Sequence, residues 1–244
     1  METLSIVIPA YNEVKRLPVT LDRILEYLEK SPIPVTEILV VDDGSNDGTV
    51  ELVEFIAKED VRAGPVRLIS NPGNRGKGYA VRNGMLAAAG DWILSTDADL
   101  SAPIEELEKL FTAVRRENAA VAIGSRALDR KLVKVHQPMM REFSGRAFNV
   151  VMRAVTRLPF RDTQCGFKLF RKDAAKSIFS RQKEEGFSFD VEDLVIAQAL
   201  GLRSVEVPVE WSNVEGTKVS LSQGMKSFTD LLRIRSRAVR GDYK

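Results

Sequence analysis

The 244-residue chain has one cysteine, one histidine and no stretch longer than ten residues without a charged side chain. Each scarcity excludes something. With Cys165 alone there is no internal disulfide, which fits a reducing compartment. With His136 alone, a His-ligated metal site or a His-based triad would have to rest on that one residue. The longest uncharged stretch, Thr3 to Asn12, falls far short of the roughly 18 apolar residues of a membrane-spanning helix. Glu2 stands where a secretory signal would carry its basic region, directly before Leu4-Ser5-Ile6-Val7-Ile8, so no signal peptide is expected. At 44% hydrophobic and 29% charged, the composition is globular rather than disordered, collagen-like or coiled-coil. The length suits one enzyme-sized domain with an appended subdomain.

Net charge is also small, +2, but only as an average. Residues 1–125 carry 13 basic and 20 acidic side chains, residues 126–172 carry 12 and 3, and residues 173–244 carry 11 of each. The basic middle attracts an anion: phosphate, nucleic acid or an anionic membrane surface. The plainer alternative is a solvated face.

The first half alternates short β-branched runs with helical periodicity. Strands are predicted at Ser5–Pro9, Glu37–Val41, Val66–Ser70, Trp92–Thr96 and Val121–Ser125, and helices at Val14–Lys30, Thr49–Asp60, Gly76–Ala89 and Pro103–Glu117. Repeated βα units imply an α/β fold, a mostly parallel sheet covered by helices, with ligands at the carboxyl ends of the strands. Tyr11-Asn12-Glu13, Asp42-Asp43, Asn71 to Lys77, Asp97 to Ser101 and Ser125-Arg126 all fall at those ends. Beyond residue 126 the alternation breaks. A basic amphipathic helix is predicted over Glu142–Leu158, with Met139, Met140, Phe143, Phe148, Val151 and Val155 beside Arg141, Arg146, Arg153 and Arg157. A strand at Gln164–Phe170, a helix at Asp190–Leu200, a strand at Val205–Val209 and an arginine-rich helix at Met225–Arg240 follow. No repeat or low-complexity linker separates the halves, so they are expected to pack together.

Asp97-Ala98-Asp99 after a strand offers two oxygen ligands for Mg²⁺ or Mn²⁺, leaving positions for a substrate diphosphate. Such a triplet alone also reads as helix capping. Its context is an ordered series at the same edge: Pro9-Ala10-Tyr11-Asn12-Glu13, Asp42-Asp43-Gly44-Ser45 and Asn74-Arg75-Gly76-Lys77-Gly78. With these the sequence resembles the family 2 glycosyltransferases of GT-A fold. Gly124-Ser125-Arg126, Asp162-Thr163-Gln164-Cys165-Gly166-Phe167-Lys168-Leu169-Phe170, Phe189-Asp190-Val191-Glu192, Pro208-Val209-Glu210-Trp211 and Gly216-Thr217-Lys218-Val219-Ser220 resemble the branch of dolichyl-phosphate β-glucosyltransferases and polyprenyl-phosphate mannosyltransferases.

The resemblance implies a nucleotide-sugar-binding half, residues 1–125, and an acceptor-binding half, residues 126–244, packed as one GT-A domain. It implies that Pro9, Ala10, Tyr11, Glu13 and Asp43 hold the nucleoside, with Asp43 accepting from the base, and that Asp97, Ala98 and Asp99 face ribose and metal. Ser101 stands where relatives often carry an amide of the metal shell. Lys77 reads either as a phosphate or sugar contact or as an exposed lysine of a Gly-rich turn. Arg126 and Arg141 match phosphate-contacting arginines, whose forks suit phosphate oxygens. Lys168 and Lys218 are further acceptor or phosphate candidates, with a solvated lysine as the plain alternative. Cys165 is expected to be a buried thiol, and His136 incidental.

The expected reaction inverts the anomeric carbon: metal and arginines stabilise the nucleoside diphosphate as it leaves. A lipid phosphate acceptor is already ionised and needs no strong base; a soluble alcohol would need one, for which Asp190 and Glu192 are candidates. Transfer of glucose from UDP-glucose to a polyprenyl or dolichyl phosphate is favoured, with mannosyl transfer from GDP-mannose the alternative. A phosphate- or membrane-binding module is the non-enzyme reading; nucleic acid is not expected, because no nucleic-acid-binding motif accompanies the basic block and its aromatics are not arranged as a base-stacking platform. The 141–157 stripe, and Arg233, Arg235, Arg237 and Arg240, read either as membrane-surface contacts or as core and solvated faces. Attachment is expected to be peripheral, from the cytoplasm at the inner face of the membrane, or through a membrane-protein partner, and a homodimer is a further candidate partner.

Overall fold

A computed structural model describes residues 2–31, 33–60, 62, 64–135, 149–214 and 221–244, the last with side chains from 229 onward. Arg141, Lys218 and His136 lie outside the described residues, as do Met139, Met140, Phe143 and Phe148 of the expected amphipathic stripe.

The chain runs β1 (Leu4–Ala10), α1 (Leu17–Lys30), β2 (Val35–Asp42), α2 (Thr49–Glu59), β3 (Val66–Ser70), α3 (Lys77–Ala87), β4 (Trp92–Ser95), α4 (Leu107–Glu117), β5 (Val121–Ser125) and β6 (Val133–Val135). Helix α5 covers residues 149–156. Then come β7 (Lys168–Arg171), α6 (Lys172–Phe179), α7 (Phe189–Ala199), β8 (Ser204–Pro208), β9 (Trp211–Ser212) and α8 (Leu221–Arg240). Seven strands form one sheet in the order β3-β2-β1-β4-β7-β5-β8, and β6 pairs with β9 separately. Within the large sheet only β7 runs antiparallel to its neighbours.

Alternation along each strand divides the interior. Ile6, Ile8, Ile38, Val40, Leu94 and Leu169 point to one core with α1 and α4, while Val7, Leu39, Val41, Ile93 and Phe170 point to another with α3, α6 and α7. Burial on both faces explains why β1 is apolar at nearly every position, Ser5 excepted, rather than at every second residue. Helix α1 buries Leu17, Leu21, Ile24 and Leu25, a helical stripe, and starts at Leu17 rather than Val14 because Glu13 to Arg16 form a turn ahead of Pro18.

The expected strand Gln164–Phe170 is corrected. The chain is extended only at Lys168–Arg171, and Cys165 and Phe167 are buried in the irregular segment before it. Helix α6 was not anticipated. The antiparallel entry of β7 matters for function: Lys168 pairs with Ser95 at the carboxyl end of β4 and with Ile123 of β5. A strand of the second half thus delivers its first residue to the edge where the parallel strands deliver their last.

Candidate active site

Asp97 and Asp99 follow β4 in a turn that α1 helps to hold, since the Thr20 hydroxyl donates to the Ala98 carbonyl at 2.7 Å. Leu100 (φ 45°) and, after β1, Asn12 (φ 54°) lie in the left-handed region at this edge. Asp99 Oδ1 accepts from the backbone N–H of Ser101 at 3.0 Å and from its hydroxyl at 2.8 Å. Ser101 therefore orients Asp99, and the capping-type turn and a ligand role coexist in one carboxylate. Asp99 Oδ2 lies 3.8 Å from Arg16, whose guanidinium grips Glu13 through two 2.6 Å hydrogen bonds.

Asp97 Oδ1 is 2.7 Å from Lys77 Nζ. Burial opposes the Asp97 charge, but Lys77, Lys168 and Arg126 outweigh it and hold its carboxyl below the usual range. Burial likewise works against the Lys77 ammonium, and Asp97 and Asp190 outweigh that. Lys77 is thus neither free nor merely solvated. Against Asp97 stands Gly166: a Cβ there would lie 2.6 Å from Asp97 Cγ, so any larger residue would displace the carboxylate or this backbone.

Lys168 and Asp190 are both buried and form an ion pair. The alternative of a solvated Lys168 is excluded. Arg126 is gripped by Asp162 through 2.6 and 2.8 Å hydrogen bonds, and its guanidinium lies 5.4 Å from the centre of the Trp211 ring. Burial opposes the Asp162 charge, but Arg126 outweighs it and lowers the carboxyl's pKa. Asp162, Gly166 and Lys168 each touch a different site residue, so the segment 162–168 forms one wall of the site. Cys165 in that wall is a buried thiol, pushed up to about 12 by burial and the nearby Asp162.

On the nucleoside side, Asp43 is buried beyond β2. Its oxygens accept from Asn71 Nδ2 at 3.0 Å, Arg75 N at 3.2 Å and Gly76 N at 2.7 Å, so it braces the 71–76 loop. Asp42 makes a turn, accepting from Gly44 N at 3.0 Å and Ser45 N at 3.1 Å. Pro9 and Ala10 end β1, followed by Tyr11.

Glu192 is occupied structurally. It is fully buried and accepts from Lys183 N at 2.8 Å, Glu184 N at 2.7 Å and the Tyr243 hydroxyl at 2.7 Å, tying α7 to the chain end. Arg237 pairs with Glu184 at 2.7 Å, and Arg233 with Asp230 at 3.1 Å, so these two arginines of α8 are engaged by acidic partners. Sequence reasoning assigned no site role to Arg16, Asp162 or Gly166; the Glu13–Arg16 spacing of three residues was the signal for the first, and the quoted 162–170 string held the other two.

The sequence profile described as Glycosyl transferase family 2 matches residues 5–179. The chain belongs to this family. A dolichyl-phosphate beta-glucosyltransferase of Trichomonas vaginalis is 40% identical over 240 residues, covering 95% of this chain and 72% of that protein. The human dolichyl-phosphate beta-glucosyltransferase is 38% identical over 251 residues, covering 99% and 77%. Among solved structures, glucosyl-3-phosphoglycerate synthase from Mycobacterium tuberculosis, in complex with Mn²⁺, UDP-glucose and phosphoglyceric acid, superposes with a TM-score of 0.70 at 19% identity, covering 96% of this chain and 80% of that one. Mannosyl-3-phosphoglycerate synthase from Rubrobacter xylanophilus gives 0.70 at 18%, covering 98% and 74%. At such identities they speak for the GT-A fold.

Proposed function

We propose that this glycosyltransferase moves glucose, with inversion, from UDP-glucose to a dolichyl or other polyprenyl phosphate. The observation that carries the reading is the Asp97–Asp99 turn at the carboxyl end of β4, with Lys77 on Asp97 and the charges of Lys168 and Arg126 acting on the same carboxylate. The names of the relatives favour glucose and a dolichyl phosphate acceptor.

The donor set fits a divalent ion. Two aspartates supply hard oxygens, and no group of three or more His, Cys, Asp or Glu suited to a metal occurs among the described residues, so diphosphate and water would complete the shell. Asp97 and Asp99 would hold Mg²⁺ or Mn²⁺, which when bound neutralises charge on the departing diphosphate. Ser101 keeps Asp99 oriented, Asp162 holds Arg126 by Nε and Nη2 so that its remaining N–H donors would meet phosphate oxygens, and Pro9, Ala10, Tyr11, Glu13 and Asp43 form the nucleoside side. Lys168 and Asp190 face the acceptor, with Arg141 and Lys218 further phosphate contacts. A phosphate acceptor arrives ionised, so Asp190 positions it without taking a proton.

No helix among the described residues is long and apolar enough to cross a membrane. Exposed Leu232 and Val239 on α8 beside Arg233 and Arg240, and Val150 and Val151 on α5 beside Arg153 and Arg157, support approach to an anionic membrane surface, where a polyprenyl chain resides.

The test is a transfer assay of UDP-glucose, UDP-galactose, UDP-N-acetylglucosamine and GDP-mannose against a short polyprenyl phosphate, with Mn²⁺, Mg²⁺ or EDTA. Glucosyl polyprenyl phosphate formed from UDP-glucose and lost with EDTA is expected. Transfer only from GDP-mannose, or only to a soluble hydroxyl, overturns the reading.

A further inference from the structure

The Lys77–Asp97 pair joins the first residue of α3 to a proposed metal ligand. It is not sealed in the core: the two side chains are 25% and 35% exposed, enough for exchange with a solute. Lys77 stands on a four-carbon stem 5.9 Å from the centre of the Phe189 ring, with the N-terminal amides of α3 at its root. The Asp97 carboxyl is also packed closely against the Gly166 backbone. One lysine is therefore held on a carboxylate and rooted at a helix end that favours phosphate.

We infer that Lys77 is a built-in counter-cation of Asp97 that competes with the divalent metal, and that the donor's diphosphate draws Lys77 away so that metal and nucleotide enter together. The inference rests on the nucleotide-sugar reading above. Without nucleotide, a metal ion meets an Asp97 already neutralised by a tethered ammonium and finds too few other ligands. With the diphosphate, Lys77 gains a more highly charged partner, and Asp97 and the phosphate oxygens together offer the metal its shell. The device makes metal and donor binding mutually dependent, a coupling that must be equal in both directions.

The experiment measures binding of MnCl₂ to the full chain by the electron paramagnetic resonance signal of free Mn²⁺, with and without UDP. The wild type is compared with Lys77→Met, which removes the cation, and Lys77→Arg, which keeps it. Without UDP, Lys77→Met is expected to bind Mn²⁺ at least tenfold more tightly than the wild type, and Lys77→Arg as weakly as the wild type. UDP is expected to tighten Mn²⁺ binding at least tenfold in the wild type and by a smaller factor in Lys77→Met. Lys77→Gln, also uncharged, reports the same gain should the methionine variant lose its fold, which thermal melting reveals. Equal Mn²⁺ affinity of the wild type and the uncharged variants without UDP, in an enzyme that binds Mn²⁺ with UDP, overturns the inference and leaves the functional reading standing. Failure of the wild type to bind Mn²⁺ even with UDP overturns both.

Discussion

Lys168, the first residue of β7, and Asp190, in the first turn of α7, are buried against each other as an ion pair. The pair exists because β7 enters the sheet antiparallel, which sets its N-terminal residue at the edge carrying Asp97. A buried pair is costly to break from one side, since the remaining charge loses its partner but not its burial. It therefore fixes α7 to the sheet at the point where the proposed acceptor must bind.

Lys168→Met and Asp190→Asn are each expected to lower stability by about 3–5 kcal/mol, and the double variant by clearly less than the sum. Urea unfolding of the four proteins measures the coupling; additive losses would show that the two side chains do not depend on each other.

Activity at Asp190 separates positioning from base catalysis. With a polyprenyl phosphate acceptor, Asp190→Asn is expected to lose less than about 100-fold in kcat, with the loss concentrated in acceptor KM. A fall of more than about 10³-fold in kcat, with acceptor KM unchanged, would assign proton abstraction to this carboxylate instead.

Gly166→Ala tests the wall behind Asp97. The added methyl would lie 2.6 Å from Asp97 Cγ, so either the carboxylate or the 162–167 backbone must shift. The expected result is a loss of at least about tenfold in Mn²⁺ affinity in the presence of UDP, with the unfolding transition still cooperative. Unchanged metal affinity would mean that the wall yields and Asp97 does not.

The parallel strands β1, β2, β4 and β5 were legible because each is a short run buried on both faces, the edge strand β3 because it is short and β-branched, and the polar clusters ending them marked the edge. The direction of β7 was not, since an apolar string such as Cys165-Gly166-Phe167-Lys168-Leu169-Phe170 reads the same either way. Helix α6 follows β7 with no turn residue between them and is only eight residues long, so neither punctuation nor length announced it. The site's ion pairs were hidden for a different reason. Arg126 and Asp162, like Lys77 and Asp97, are distant in sequence and adjacent only through the topology, whereas Arg16 and Glu13 sit three residues apart in one turn. Motif order located the carboxylates; their partners emerge only when the strands are assembled.

Glu192 predicts a structural penalty remote from chemistry. Tyr243→Phe removes the hydroxyl donor to Glu192 Oε1 and is expected to cost about 1.5–3 kcal/mol, the range of a hydrogen bond to a charged group, with donor KM unchanged. A change in KM without loss of stability would place this knot in the site after all.

Asp193 carries the opposite sign. It is buried, its Oδ1 has no hydrogen-bond partner, and burial together with Asp190 and Glu192 raises its pKa well above the usual carboxylate value, against the smaller pull of Lys168. The folded protein therefore keeps this proton while the unfolded chain releases it above about pH 3.9. The group's stabilising contribution is complete below that pH and is lost as pH rises through the folded pKa. Asp193→Asn, similar in shape but unable to ionise, should match the wild type at pH 4 and melt higher by an amount that grows toward pH 8, with roughly 2–4 °C for each kcal/mol recovered. Thermal melts across that range check it. A difference that is constant with pH would reflect packing or hydrogen bonding of the amide, and would show that the Asp193 proton is not what the fold retains.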